Sequence, residues 1–157
     1  MTADQLSARE QIRELVASYT HLGDGGRLDD LLALFDAEGW LEAVDPTGSR
    51  RRYVGPTEVA GFFTGIVSGR EAKPTITFVR HHISNVTISL DGPDAASGAS
   101  YWAVYSDHGF ESSGRYRDAY RRGADGRWRF ASRTIRRDEP RGAKPTSTGV
   151  DLTAATA

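Results

Sequence analysis

A chain of 157 residues, 38% hydrophobic and 26% charged, is long enough for one domain with a buried core and has the composition of an ordinary globular protein. The absence of cysteine excludes disulfides, thiolate metal sites and a cysteine nucleophile, and a net charge of -1 argues against a dedicated nucleic-acid binder. No apolar run approaches the roughly 18 residues of a membrane span, and the start MTADQLSARE lacks the basic and apolar regions of a signal peptide, so the expected location is the cytoplasm.

Ser7 and Glu10 stand at capping-box spacing, and Ile12, Leu15, Val16 and Tyr19 follow at i, i+3, i+4, i+7. This predicts an amphipathic helix that ends by Gly23. The stretch DGGRLDD turns the chain, and Leu28, Leu31, Leu32 and Phe35 repeat the spacing as a second, shorter helix. Trp40 to Val44 and Arg51 to Val54 read as short strands around the turn DPTG. Gly55-Pro56 then opens a third helix with Val59, Phe62, Phe63 and Ile66 on one face. After Pro74 everything reads as strand and turn. The segment ITFVRHHISNVTISLDG precedes strands near Ala95 to Ser106, Phe110 to Arg122 and Arg127 to Arg137, with DGPD and GADG between antiparallel neighbours. Residues 141–157 are small, polar and aperiodic, so they are expected to form a flexible tail beyond a domain of residues 1–140. Helices first and long antiparallel strands after predict an α+β domain, a curved sheet closing on a short helical layer.

Charge is unevenly spread along this chain. Residues 1–45 hold 10 acidic side chains against 3 basic ones, and residues 101–141 hold 10 basic against 6 acidic. The reading favoured over a polyanion site is that arginines on exposed strand faces pair with acidic helices; Arg133 is expected at the surface or in an interface between subunits.

The strand containing Arg80, His81 and His82 can be read for phase. Val79, His81 and Ile83 alternate on one face, whereas Val86, Ile88 and Leu90 fall on even numbers, so the pattern slips by one residue. A bulge near Ser84-Asn85 keeps the apolar side inward before and after the slip, with the Asn85 side chain expected to satisfy backbone groups that the bulge leaves unpaired. His81 then points inward with Val79 and Ile83, while Arg80 and His82 point outward. A lone histidine on an apolar face is more often a packed core residue than a catalyst, and a partner changes that weighing. The available partner is Asp24, which ends the first helix in SYTHLGDGGRLDD, five residues after Tyr19. Its glycine neighbours make a plain turn residue the competing reading.

The pattern Y-x4-D-x-G-x-L-x-x-L-x-x-L-F, a Gly-Pro helix start, then RHHISN, SYWAVY, GRYRDAY and GRWRFASR, resembles the SnoaL-like, scytalone dehydratase-like branch of the nuclear-transport-factor-2-like superfamily over about residues 5–138. The resemblance implies a cone in which a strongly curved mixed sheet wraps N-terminal helices around a mostly apolar pocket, and it implies a homodimer or homotrimer. It also places Asp24 on an aspartate, and His81 on a histidine, that act together in several enzymes of this group. Gly23 and Tyr101 depart from scytalone dehydratase itself, so its particular substrate is not expected. Tyr19 matches a tyrosine of bacterial bile-acid dehydratase, whose second aspartate has only Asp107 as a counterpart here.

The chemistry suits these residues. Imidazole removes a proton next to a carbonyl near neutral pH when an acid fixes its tautomer and supports the imidazolium that forms. In this scheme His81 is the base, Asp24 its support, and the phenols of Tyr19 and Tyr101 donate to the developing enolate oxygen. Tyr101, Val79, Ile83, Tyr105 and Phe62 are the expected substrate-binding side chains. The expected activity is cofactor-independent dehydration, isomerisation or cyclisation of a hydrophobic carbonyl metabolite such as a polyketide, a steroid-like or an aromatic compound. No metal or cofactor is expected, and neither a nucleic acid nor a membrane is an expected partner. The outer face of the last two strands is the expected dimer contact. The rival readings are a carrier that keeps only the pocket, and an interaction module that uses the sheet face.

Overall fold

Thr2, not Ser7, begins the first helix. The Thr2 hydroxyl accepts from the Gln5 amide at 3.2 Å and the Gln5 side chain accepts from the Thr2 amide at 2.8 Å, which closes an earlier capping box than the Ser7-Glu10 pair. Helix α1 therefore spans Ala3–Asp24, and Ser7 lies inside it as an acceptor for Gln11. Ile12, Leu15, Val16 and Tyr19 are buried on one side, as their spacing predicts. The computed structural model describes residues 1–71 and 76–138; the expected tail at 141–157 lies outside them.

Helix α2, Leu28–Leu32, stops short of Phe35, which opens strand β1, Phe35–Val44. Tertiary pairing overrides the helical spacing at this point. The Phe130 amide donates to the Leu34 carbonyl at 2.9 Å, and the Phe35 and Phe130 rings meet at 5.3 Å. Gly39 allows the chain to pass closely here, since a Cβ would sit 2.9 Å from the Phe130 carbonyl oxygen. Strand β2, Arg50–Val54, and helix α3, Gly55–Glu71, follow the predicted order. Strands β3, Val79–Leu90, β4, Ala95–Ser106, β5, Gly109–Arg122, and β6, Trp128–Arg137, complete one sheet. Its order is β2-β1-β6-β5-β4-β3, with β1 parallel to β6 and every other pair antiparallel. The fold is thus the predicted α+β arrangement with a mixed sheet. Inward side chains such as Ile88, Trp102, Val104, Tyr116, Tyr120 and Phe130 join those of α1 in a single core. Among the described residues, no helix is long and apolar enough to cross a membrane.

Strand β3 carries the predicted bulge. Ser84 pairs with Tyr101 and Thr87 with Ala99, so β3 holds one residue more than β4 across this step. Val79, His81 and Ile83 before the bulge, and Val86, Ile88 and Leu90 after it, are all more buried than their neighbours. Asn85 adopts φ 54°, in the left-handed region that asparagine tolerates better than most residues. Its side chain makes no hydrogen bond among the described residues, so backbone tolerance, not the expected side-chain bonding, is its contribution. Asn85→Val should destabilise the fold by about 1–2 kcal/mol, while Asn85→Gly should be close to neutral; urea titration of the two variants distinguishes them.

Candidate active site

Strand β3 is an edge of the sheet, and an unpaired edge needs cover. Helix α1 provides it with two side chains. Arg9 donates to the Ile88 carbonyl at 2.6 Å, and near the other end Asp24 Oδ2 accepts from the His81 amide at 2.8 Å. The second Asp24 oxygen, Oδ1, lies 2.5 Å from His81 Nδ1. One carboxylate therefore grips the backbone and the ring of the same residue. With the Nδ1 proton donated to Asp24, the neutral ring leaves Nε2 as a base, and Nε2 has no hydrogen-bond partner among the described residues. His82 faces the other way, is exposed, and packs its ring on Tyr105 at 5.3 Å.

Burial raises the pKa of the Asp24 carboxyl, but the hydrogen bonds from the His81 ring and amide, together with the charges of His81 and Arg80, outweigh it and hold the pKa below the usual carboxylate range. A carboxyl whose folded value is depressed contributes stability that is present above its unfolded value and is lost as pH falls through the folded one. Asp24→Asn should accordingly be less stable than the parent at neutral pH, and the gap should close as pH falls through and below the ordinary carboxylate range. Urea midpoints measured across that range check this.

A cleft of about 310 Å³ opens beside the pair, lined by Thr20, His21, Asp24, Gly25, Arg80 and His81. Its wall is polar, unlike the apolar pocket expected. Val79 is buried in the core and Ile83 is packed against it; Phe62 lies between Tyr53 and Phe63 at 5.2 Å from each ring. None of the three lines this cleft. Tyr101 and Tyr105 are 55% and 42% exposed on the convex face, which corrects their placement as substrate contacts. The reason is strand alternation: Ser100, Trp102 and Val104 take the inward positions, so the odd-numbered tyrosines point out. Asp107 accepts from the Thr77 amide and hydroxyl and takes no part in the His81 pair.

Tyr19 reaches the interior as expected. Its ring meets those of Phe35, Phe63, Tyr116 and Phe130 at 5.7–6.3 Å. Burial pushes its phenol up to about 12 against the opposing pull of Arg133, so it is a neutral donor. Arg133 is not at the surface but fully buried. Its Nε and Nη2 donate to the two oxygens of Asp118 at 2.9 and 2.8 Å, and Tyr120 donates to Asp118 Oδ2 at 2.9 Å. The guanidinium lies 4.1, 4.1 and 4.2 Å from the ring centroids of Tyr19, Tyr116 and Phe130. Burial works against its charge, and Asp118 outweighs burial to keep it ionised. GRYRDAY held the missed signal, because an aspartate between two inward tyrosines on one strand face requires a buried cation. The β6 side was hidden by an irregularity: Tyr120 pairs with Phe130 and Ala119 with Ser132, which turns Arg133 inward.

Residues 4–134 match the SnoaL-like domain family. A comparison with curated proteins finds no match. Among solved structures, the chain is similar to an NTF2-like protein with a cystatin-like fold from Novosphingobium aromaticivorans, at 24% identity over 88% of this chain and 86% of that one, TM-score 0.72. It is similar to a candidate scytalone dehydratase from the same organism, at 22% identity over 94% and 98%, TM-score 0.70. ActVI-ORFA from Streptomyces coelicolor is 19% identical over 83% and 98%, TM-score 0.69. These likenesses establish the fold.

Proposed function

The chain belongs to the SnoaL-like domain family, and we propose that it is a cofactor-independent lyase or isomerase in which Asp24 and His81 move a proton on a hydrophobic carbonyl compound, dehydration being the favoured outcome. The observation that carries this reading is the double grip of Asp24 on His81, at 2.8 Å to the amide and 2.5 Å to Nδ1. A histidine held only for packing needs both ring nitrogens satisfied, whereas here the acid fixes tautomer, ring orientation and main chain together and leaves Nε2 without a partner among the described residues. That is what a base requires, because each rotation frozen in advance is one that the transition state need not freeze.

In the reaction, Nε2 of His81 takes a proton from the carbon next to the substrate carbonyl, and the electron pair of that C–H bond moves into the enolate. Asp24 supports the imidazolium through the Nδ1 hydrogen bond. The enolate then expels a hydroxyl from the β-carbon, which leaves as water with the proton held on Nε2. Return of that proton to another carbon gives isomerisation instead. The likeness to a candidate scytalone dehydratase supports the choice of dehydration.

A suitable first probe is 4-hydroxy-4-phenylbutan-2-one, which loses water to a conjugated enone with strong ultraviolet absorbance. Enone formation by the parent and not by His81→Ala is the expected result. Saturable binding of a series of such β-hydroxy ketones without turnover would favour the carrier. We also propose that the chain self-associates through the outer face of β5 and β6, which Tyr105 of β4 extends: it packs on His82 and Phe110 at 5.3 and 5.8 Å and remains 42% exposed. Light scattering at micromolar concentration should report at least a dimer; a strictly monomeric species contradicts the proposal.

A further inference from the structure

The wall of the cleft beside the Asp24-His81 pair holds one acid that is fully engaged and one cation that is not. Asp24 gives both of its oxygens to His81. Arg80 leaves β3 on the face opposite His81, yet its guanidinium turns back to the open edge of the strand, where Nη1 donates to the Val79 carbonyl at 2.7 Å. Residues two apart along a strand direct their backbone groups to the same edge, so the Val79 carbonyl lies on the side from which the His81 amide reaches Asp24. The guanidinium therefore stands at the lip of the cleft, which Arg80 lines together with Asp24, His81, Thr20, His21 and Gly25. Burial raises the Asp24 carboxyl, and the Arg80 charge is among the influences that pull it down again. The guanidinium also lies 5.3 Å from the Phe78 ring centroid, which with the Val79 carbonyl restrains it. Arg50 and Arg52 share the Glu42 carboxylate, and Arg121 has that of Asp36; Arg80 has no carboxylate partner among the described residues.

We propose that Arg80 seats a carboxylate of the substrate, so that the carbonyl compound on which Asp24 and His81 act is a keto acid. The inference rests on the cleft being the site of the proposed enzyme. A guanidinium with N–H groups to spare takes a planar carboxylate through two parallel hydrogen bonds, a match that few other groups offer. One unpaired cation balances one negative charge. Asp24, the one acid on the wall, turns both oxygens to His81, and the imidazolium that forms in the reaction adds a second positive charge on the same side. Because Arg80 is exposed at the lip, the incoming acid keeps part of its water and escapes the cost of full burial. The acid belongs several bonds from the reacting α-carbon, since a carboxylate directly beside the enolate would oppose the charge that develops there. Anchored at that distance, it holds the ketone end next to His81 before the proton moves.

Two ketones of the same shape test it: 4-acetylbenzoate and its neutral counterpart, 4-acetylbenzamide. In titrations followed by NMR the parent should bind the acid about 3- to 10-fold more tightly than the amide, the part of a charge-assisted hydrogen bond that survives solvent exposure. Arg80→Gln should remove that preference and leave the affinity for the amide unchanged. Arg80→Lys should keep some of it, because the charge remains without the fork. The ratio is taken within each variant, and urea midpoints show that the variants are folded. Equal affinity for acid and amide in the parent, or a preference that Arg80→Gln leaves intact, overturns the seat. Exchange of the acetyl hydrogens with deuterated water, measured in the same samples, reads the Asp24-His81 pair separately. Preference without exchange leaves the seat standing and counts against the proton-transfer reading, whereas exchange without preference overturns the seat alone.

Discussion

His81→Ala should lower turnover by about 10²–10⁴-fold, the usual worth of a positioned general base, and Asp24→Asn should cost a similar order. The double variant should be little worse than the more damaging single one, because Asp24 acts through the ring that it holds. The hydrogen bonds of 2.8 and 2.5 Å make the coupling direct: in the Asp24→Asn variant the side-chain amide would still accept from the His81 amide but would carry no charge to balance the imidazolium. Multiplicative losses in the double variant would mean that the two residues act separately.

Arg133→Met should be the most damaging single change to stability. It strands the Asp118 carboxylate, whose side chain is 1% exposed, and removes the guanidinium that packs on three aromatic rings. Removing one partner of a buried ion pair costs about 3–5 kcal/mol, whereas replacing both by apolar groups of similar size is often close to neutral. The pair Arg133→Met with Asp118→Leu should therefore regain much of the stability lost by Arg133→Met alone. Thermal or urea unfolding of the three proteins checks this, and additive destabilisation in the pair contradicts the geometry described.

The inward placement of His81 was legible because the phase of β3 is carried by apolar residues on both sides of the bulge. Val79 and Ile83 set one parity, Val86 and Ile88 the other, and only one inserted residue reconciles them. The order of elements was legible for the same reason. Helix α1 misled at its start, since Ser7-Glu10 and Thr2-Gln5 both have the spacing of a cap and the chain uses the earlier one. Phe35 misled because its long-range pairing with Phe130 is stronger than its local helical spacing. Tyr101 and Tyr105 could have been placed by applying to β4 the alternation used for β3, with Trp102 and Val104 as the inward set. Arg133 was the least legible, because an arginine on a strand reads as exposed until the irregularity opposite Ala119 and Tyr120 is known.

The central claim, that Asp24 and His81 form a proton-transfer site, is tested most directly by following exchange of ketone α-hydrogens with deuterated water by proton NMR, which needs no knowledge of the leaving group. With 2-acetylnaphthalene and 4-hydroxy-4-phenylbutan-2-one as probes, the parent protein should accelerate loss of the α-hydrogen signal, and His81→Ala should return it to the rate in buffer. Exchange at the same rate with the parent and with His81→Ala, while the ketone is bound by both, would contradict the catalytic assignment and leave a ligand carrier.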